Sequence, residues 1–232
     1  MKESPEELPV QAGYAAWAPL YDGDGNPLTA LEGPAVRRWF GSLNGGRALD
    51  VGCGTGRHTL ALLDAGASTV AALDLTPEMM ATGRAKVSGE ASARVFWVRH
   101  SLPGPLPFRD ATFDLAVLGL VAEHVEDLEG GLTAVARTLK PGGLCVVSAL
   151  HPERTAEGQR ARYIDPVTGL RHPIATVHRS VEDYLDAAHR AGLELVEEAA
   201  LVVPAELVAA YPRAGRYVGR NLGWVGCWTR RA

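Results

Sequence analysis

The sequence predicts an α/β fold in which helices cover a parallel sheet. Short apolar runs alternate with longer amphipathic stretches, which is the pattern of parallel strands joined by helical crossovers. The run at residues 144–150 is apolar on both faces, as expected of a central strand in such a sheet. Helix signals separate the runs: Thr76-Pro77-Glu78 favours a helix start, and Lys140-Pro141-Gly142-Gly143 favours a stop and a turn.

The first half of the chain supplies three predicted strands. Residues 47–51 form the first, which ends at a glycine-rich loop, and an amphipathic helix is predicted over 57–65. The second strand, 68–73, precedes a helix for which Thr76 is the expected N-cap. The third strand is predicted at 94–98.

The second half continues the same alternation. A proline-rich loop leads to the fourth strand at 113–120, and a helix over 128–139 comes before the fifth strand. Ser180 is the expected cap of a helix that ends at Gly192, since glycine favours the backbone conformation that terminates helices. Strands at 193–203 and 224–229 complete the pattern.

The chain of 232 residues fits one domain, 1–232, with two segments outside the alternation. We expect an N-terminal arm at 1–39, a core at 40–150, a lid insert at 151–179 and the rest of the sheet at 180–232. The insert contains the turn signal Asp-Pro-Val-Thr-Gly, which suggests a hairpin. Because substrate contacts usually lie on loops of α/β folds, both segments are expected to close over the cleft.

The charge balance, the number of cysteines and the length of the apolar runs argue against several classes of partner. With 23 Lys and Arg against 27 Asp and Glu, the net charge of −4 argues against nucleic acid as a partner. The 3 cysteines are too few and too scattered for a disulfide framework or a zinc site, so no metal is expected. The acidic start MKESPEELPV is unlike a signal peptide, and no apolar run is long enough to span a membrane. We expect a cytoplasmic protein without a membrane partner; its oligomeric state is left open.

A glycine-rich loop follows the first predicted strand. Gly52, Gly54 and Gly56 lie where the strand turns into a helix, so the backbone can approach a ligand closely. The dinucleotide fingerprint G-x-G-x-x-G requires a glycine where this chain has Arg57, so the loop suits a nucleoside with an amino-acid tail instead. Asp74 ends the second strand and can accept hydrogen bonds from both hydroxyls of a ribose.

Four stretches together resemble the class I S-adenosylmethionine-dependent methyltransferases. They are LDVGCGTG at 49–56, AALDLTPEMM at 71–80, PLPFRDATFDLAV at 105–117 and LVAEHVEDLEGGLTAVARTLKPGGLCVVS at 120–148. The opening YAAWAPLYD at 14–22 is similar to the leader of small-molecule members such as the quinone-biosynthesis methyltransferases. The resemblance implies a doubly wound, Rossmann-like, mostly parallel sheet of seven strands whose last strand is antiparallel. It also implies S-adenosyl-L-methionine as the cofactor and S-adenosyl-L-homocysteine as its product.

The resemblance also implies roles for individual residues. The three loop glycines would lie beside the methionine part of the cofactor, Asp74 on the ribose, and Leu75 and Met79 against the adenine. Many relatives carry an Asp that accepts from the adenine amino group, and Ser101 at that place supplies only a neutral, weaker hydrogen bond. Further cofactor contacts are expected from Tyr14, Tyr21, Asp50, Cys53, Leu102 and Leu118.

Aromatic residues of the arm allow two interpretations. Tyr14, Trp17 and Tyr21 are spaced to lie on one face of a helical turn. Their rings could attract the positive sulfonium of the cofactor, or they could clamp the arm by hydrophobic packing alone. Cys53, which has no base beside it, is better explained as a small packing residue than as a nucleophile.

The expected reaction is transfer of a methyl group to an oxygen, nitrogen or carbon atom of a small molecule by in-line displacement. His124 and His151 follow the fourth and fifth strands and are the candidate catalytic bases. Each could instead be bonded to a backbone carbonyl. The alternative function is a non-catalytic protein of the same fold that binds S-adenosylmethionine or S-adenosylhomocysteine, and a nicotinamide-dependent oxidoreductase is disfavoured by Arg57.

Basic side chains of the insert also allow two interpretations. They could receive an anionic acceptor such as a carboxylate, or they could form the solvated face of a lid. The residues are Arg154, Arg160, Arg162, Arg171, His172, His178 and Arg179.

Overall fold

The computed structural model describes residues 6–23 and 25–231, so residues 1–5 of the predicted arm lie outside the described residues. The strands are β1 (Arg47–Val51), β2 (Thr69–Asp74), β3 (Val95–Arg99), β4 (Phe113–Gly119), β5 (Leu139–Leu150), β6 (Arg162–Ile164), β7 (Arg171–Pro173), β8 (Leu193–Val202) and β9 (Asn221–Arg230). The helices are α1 (Val10–Trp17), α2 (Pro27–Arg37), α3 (Arg57–Asp64), α4 (Pro77–Lys86), α5 (Leu128–Thr138), α6 (Pro152–Ala156), α7 (Val181–Arg190) and α8 (Leu207–Ala210).

Seven of these strands form one sheet in the order β3-β2-β1-β4-β5-β9-β8. β9 runs antiparallel to both β5 and β8, whereas β1 to β5 pair in parallel. This confirms the doubly wound, seven-stranded sheet with an antiparallel last strand. Since β1 lies between β2 and β4, the carboxyl ends of these three strands meet at one edge, where the strand order reverses and where such folds bind ligands.

The core consists of a hydrophobic layer on each face of the sheet. Residues alternate between the layers along a strand, so Leu49 and Val51 of β1 pack on one face and Ala48 on the other. Leu132 of α5 and Ala188 of α7 cover the first face, and buried residues of α2 and α3 cover the second. Both faces being covered explains why these strands are nearly continuous apolar runs.

Helix starts differ in how they are capped. At α7 the prediction is confirmed, since Ser180 and Asp183 form a capping box in which each side chain accepts from the other's backbone N–H. Thr76 takes the N-cap position of α4, but its side chain makes no capping hydrogen bond. The backbone N–H of Thr76 donates to Oδ1 of Asp74 at 2.8 Å, which fixes the turn that leads into the helix.

The arm is more regular than the sequence predicts. It forms α1 and α2, and α2 is part of the second hydrophobic layer through Val36, which is fully buried. Only the stretch around α1 lies over the ligand edge of the sheet. A strand–helix pattern was not expected here because α2 contains two prolines and a glycine, which weaken a helical pattern.

The insert forms the predicted hairpin, β6–β7, and is joined to the arm. Leu8 donates its N–H to the carbonyl of Pro173 at 2.8 Å and accepts from the N–H of Ala175 at 2.9 Å. Gly13 of α1 packs directly on Ile174, since a Cβ at that glycine would lie 2.7 Å from the isoleucine Cγ1. Arm and insert therefore form one continuous cover.

Across the described ranges, no helix has both the length and the apolar character needed to cross a membrane. Within the same ranges, no three His, Cys, Asp or Glu side chains come together in a way that could hold a metal ion.

Candidate active site

The glycine-rich loop between β1 and α3 has a backbone that glycine favours. Gly52, Gly54 and Gly56 all have positive φ, at 69°, 53° and 82°. The N–H of Gly54 donates to Oδ2 of Asp74 at 2.8 Å, which ties the loop to the end of β2. A Cβ at Gly54 would lie 3.3 Å from Cε of Met79. The loop thus leaves open space between the ends of β1 and β2.

This space lies at the bottom of a cavity of about 780 Å³, a volume that includes its opening to solvent. We call it the glycine-loop cavity. It lies at the carboxyl ends of β1, β2 and β4, under α1. Of the residues that the sequence proposes as site residues, those lining it are Tyr14, Tyr21, Gly52, Gly54, Asp74, Leu75, Met79, Ser101, Leu102 and His124. Residues not foreseen there include Val10, Thr76, His100, Leu120 and Val121.

Asp74 is held so that it can still accept hydrogen bonds. Its Oδ2 accepts from the N–H of Gly54 and its Oδ1 from the N–H of Thr76, both at 2.8 Å, and the carboxylate lines the cavity. Burial raises the pKa of the carboxyl group, while these backbone hydrogen bonds act in the opposite direction. The arrangement suits a ligand with two neighbouring hydroxyl groups.

Aromatic rings of the arm close one side of the cavity. Tyr14 stacks on Trp17 with ring centroids 5.9 Å apart, and Tyr21 meets the Trp17 ring edge-on at 4.9 Å. Burial raises the pKa of Tyr21 to about 12 and also raises that of Tyr14. Both phenols are therefore neutral near pH 7 and can donate hydrogen bonds.

His124 is oriented by bonds at both ring nitrogens. Its Nδ1 lies 2.7 Å from the carbonyl oxygen of Ala175, and since a carbonyl only accepts, Nδ1 carries the hydrogen. In the neutral ring Nε2 then accepts from the Tyr14 hydroxyl, at 2.9 Å. The short turn that carries His124 is fixed by Arg179, which donates to the carbonyls of Ala122, Val125 and Glu126.

A second cavity, of about 1560 Å³ to its open mouth, adjoins the first, and we call it the insert cavity. It shares three residues with the glycine-loop cavity, namely Tyr14, Tyr21 and Leu120. Its other walls come from the insert between residues 159 and 176, from α2 and from the turn Pro212–Tyr217. The two cavities therefore adjoin at the arm tyrosines and Leu120.

Comparisons with known proteins agree with this geometry. A family model described as a methyltransferase domain matches residues 49–147. The chain is 31% identical over 191 residues to the demethylmenaquinone methyltransferase of Bacillus licheniformis, covering 78% of this chain and 79% of the relative. It is 30% identical over 216 residues to an uncharacterized methyltransferase of Emericella nidulans, covering 79% of this chain and 75% of the relative.

The chain belongs to the class I S-adenosylmethionine-dependent methyltransferases. A crystal structure of an S-adenosylmethionine-dependent methyltransferase from Mesorhizobium loti has a TM-score of 0.72 and 26% identity, covering 88% of this chain and all (100%) of that one. A solved [4+2]-cyclase shares the fold with a TM-score of 0.69 at 20% identity, covering 100% of each chain. The fold alone thus leaves the reaction undecided.

S-adenosylmethionine is the cofactor of this methyltransferase, and the residues present fit it. The left-handed glycine loop leaves a space that a Cβ at Gly54 would enter, and the carboxylate of Asp74, an acceptor suited to ribose hydroxyls, lines the same cavity. Leu75 and Met79 provide an apolar wall for a base. Ser101, at the place where many relatives carry an Asp, donates its hydroxyl to the Leu102 carbonyl at 3.1 Å. The side chain at this place in the cavity lining is therefore neutral.

Four of the proposed cofactor residues do not line the methyltransferase's glycine-loop cavity. Asp50 is buried beneath the loop, where its Oδ2 accepts from the Thr59 hydroxyl at 2.6 Å. A Cβ at Gly56 would face Trp97 and Gly83 instead of the cavity. Cys53 and Leu118 are buried in the hydrophobic layers, and burial raises the pKa of the Cys53 thiol, as expected of a packing residue. These residues lie outside the lining of the glycine-loop cavity and support the loop that forms its floor.

His151 lines neither the glycine-loop cavity nor the insert cavity. It is 7% exposed and forms the N-cap of α6, where Nδ1 accepts from the Glu153 N–H at 3.3 Å. Burial lowers the pKa of its imidazole. It follows β5 directly, as predicted, but its ring is engaged as the N-cap of the helix that begins at Pro152. His124 is therefore the histidine to consider in the reaction.

A buried ionic cluster behind the site was not foreseen. Glu32 of α2 is fully buried and accepts from His58 Nε2 at 2.9 Å, from Arg57, and from the Ser148 hydroxyl at 2.6 Å. Ser148 in turn accepts from the N–H of Leu120 at 3.1 Å. Leu120 has a φ of 57°, which is costly for a leucine, so this cluster supports the strained wall between the cavities.

Asp74→Ala is expected to weaken binding of S-adenosylhomocysteine by about 1.5–3 kcal/mol, because hydrogen bonds to a charged group are lost. Calorimetric titration gives the affinity directly. Asp64→Ala is the matched control, since Asp64 is exposed at the end of α3, and it should leave binding unchanged. An unaltered affinity in Asp74→Ala would remove the ribose assignment.

Proposed function

We propose that this methyltransferase transfers a methyl group to a small molecule bound in the insert cavity, through an oxygen, nitrogen or carbon nucleophile. The observation that carries the proposal is the pair of adjoining cavities with Tyr14, Tyr21 and Leu120 as their common wall. Two ligands in adjoining cavities can meet in line at this boundary, and holding reactants at attack distance accounts for much of such catalysis.

S-adenosylmethionine supplies, when bound, an electrophilic methyl group on a positively charged sulfur. The residues of the chain position the reactants around it. Tyr14, Trp17 and Tyr21 present aromatic rings at the boundary, and ring faces attract a nearby cation by about 0.5–2 kcal/mol. The cover formed by arm and insert excludes water from the same place.

His124 is the proposed proton acceptor for the nucleophile. Its Nε2 lone pair faces the boundary and is engaged by the Tyr14 hydroxyl, while Ala175 fixes the ring through Nδ1. Displacement of the tyrosine hydroxyl by an acceptor would leave Nε2 free to take the acceptor's proton.

His124→Ala is expected to lower kcat by roughly 10²–10⁴, the usual contribution of a general base. The affinity for S-adenosylhomocysteine should stay near wild type in this variant, because His124 is proposed to act on the acceptor. His151→Ala, which alters a buried histidine outside both cavities, should keep the wild-type kcat. Wild-type turnover in His124→Ala would mean that positioning alone suffices.

The function itself is tested by incubating the protein with methyl-labelled S-adenosylmethionine and a metabolite extract, with demethylmenaquinone as one defined acceptor. S-adenosylhomocysteine and a labelled small molecule are expected products. Cofactor binding without either product from any acceptor would favour the non-catalytic alternative.

A further inference from the structure

One face of the β6–β7 hairpin points its basic side chains at the insert cavity. Arg162, Ile164 and Arg171 line the cavity, and the pairing of Ile164 with Arg171 places all three on the same face of the two-stranded sheet. Tyr163 and His172 lie on the other face, where their rings stack with centroids 6.0 Å apart. Two guanidinium groups are thereby held together by regular strand pairing.

These two arginines differ from Arg154 and Arg160 of the insert in having no carboxylate partner within the described ranges. Arg154 pairs with Glu157 at 2.7 Å, and Arg160 pairs with Glu7 at 2.8 Å. Arg162 and Arg171 are half-buried, and the Nε of Arg171 is a buried donor without a hydrogen-bond partner. A buried donor that no protein group satisfies is costly, so a ligand oxygen would be bound favourably there.

Glu123 provides an unsatisfied acceptor in the same cavity. It precedes His124, lines the insert cavity and is 6% exposed. Its buried Oε2 has no hydrogen-bond partner among the described residues. A carboxylate buried in this way is stabilised by a ligand hydroxyl or amine that donates to it.

Arg160, Arg213 and Arg216 also line the insert cavity, and the remaining lining is largely apolar. It includes Trp17, Leu28, Leu150 and Leu222, which come from the arm, α2, β5 and β9. Such a surface binds a hydrophobic body, with the polar groups fixing its orientation.

We propose that the acceptor is an amphipathic small molecule with a carboxylate or similar oxyanion bound by Arg162 and Arg171 and a hydroxyl or amine that donates to Glu123. The inference rests on the proposed function, since it describes what the insert cavity binds. Paired guanidinium groups match an oxyanion through parallel hydrogen bonds. The donor end then lies next to His124 and the wall that faces the cofactor, so the group bound by Glu123 is the nucleophile or its neighbour.

The test uses a graded series of hydroxy acids and their primary amides: 4-hydroxybenzoate, 3-(4-hydroxyphenyl)propanoate and 5-(4-hydroxyphenyl)pentanoate. Each is titrated by calorimetry into protein saturated with S-adenosylhomocysteine. At least one acid is expected to bind ten-fold or more tightly than its amide. The double variant Arg162→Gln, Arg171→Gln should remove this preference, whereas Arg109→Gln, at an exposed arginine outside both cavities, should retain it.

Glu123→Gln tests the other end of the cavity. It should weaken binding of the hydroxy acid about ten-fold while leaving the matching acid without a hydroxyl unchanged. Equal affinity for acids and amides, or no binding of any acid to the saturated protein, would overturn the inference. Titration of S-adenosylhomocysteine alone and labelled-methyl transfer to the metabolite extract separate that failure from a failure of the proposed function.

Discussion

Gly54→Val is expected to weaken S-adenosylmethionine binding by at least about 100-fold, or roughly 3 kcal/mol. The Cβ would stand 3.3 Å from Cε of Met79, and the two valine methyl groups would extend into the glycine-loop cavity. A side chain that occupies the ligand's space is expected to cost as much binding free energy as overpacking costs a core in stability, because neither the loop nor the ligand can move aside. Calorimetry with S-adenosylhomocysteine and far-ultraviolet circular dichroism check binding and fold separately.

Gly89→Val is the matched control for this variant. Gly89 has a φ of 59°, close to the 53° of Gly54, but a Cβ there meets nothing within 4 Å. Both variants therefore carry the cost of a left-handed β-branched residue, about 1–2 kcal/mol of unfolding free energy. If the two variants bound the cofactor equally, the loss of affinity in Gly54→Val would be an effect of reduced stability. The assignment of the glycine-rich loop to cofactor binding would then be wrong.

Glu32→Ala is expected to lower the free energy of unfolding by about 3–5 kcal/mol, because it breaks a buried ion-pair and hydrogen-bond network and leaves its donors without their acceptor. Arg57, His58 and Ser148 all donate to this one carboxylate. Urea denaturation provides the measurement. Glu129→Ala removes an exposed ion pair with Arg190, whose N–O distance is 2.7 Å, and should cost at most about 1 kcal/mol. Similar losses in both variants would contradict a structural role for the buried cluster.

The same cluster predicts a dependence of stability on pH. Burial alone would raise the pKa of Glu32, but hydrogen bonds and charge from His58 and Arg57 lower it from 4.5 to about 2. Since the folded pKa is below the unfolded one, the stabilisation is complete above about pH 5 and is lost as pH falls towards 2. The shift corresponds to about 3 kcal/mol. The difference in unfolding free energy between wild type and Glu32→Gln should shrink over that range; a constant difference would refute this assignment.

The fold was largely predictable because each strand of the parallel sheet is a short apolar run bounded by turn or helix signals. β1 has the predicted bounds, 47–51, since glycines precede it at 45 and 46 and follow it at 52. β5 begins at Leu139, earlier than the predicted 144, because the Lys-Pro-Gly-Gly turn is accommodated as an irregularity opposite β4. Turn signals in the sequence indicate only the local backbone preference. The start of β5 depends also on its pairing with the neighbouring strand β4.

The candidate site was predictable only where a motif fixes the backbone. Loop glycines and Asp74 follow directly from strand ends, so their positions at the cavity could be inferred. His151 illustrates the limit, because its place at the end of β5 does not determine the direction of its ring. The signal that was missed is Pro152-Glu153, a proline and an acid in a first helical turn, which begins α6.

Glu32 and Glu123 could not have been found from sequence spacing. Glu32 meets Ser148 across 116 positions of chain, and no local pattern marks such a pair. Glu123 looks like an ordinary polar residue before a histidine, and only its burial and unpartnered oxygen reveal it. Contacts of this kind depend on how the layers pack, which the period of apolar residues does not encode.

The two cavities draw on largely separate stretches of chain. Residues 159–171 and 212–217 contribute lining to the insert cavity and none to the glycine-loop cavity. Under the proposed function, mutations in these two short stretches would alter which molecule is accepted while the affinity for the methyl donor stays constant. Acceptor choice would then be free to drift during evolution, and a combinatorial library confined to these positions would offer a direct way to redirect the enzyme.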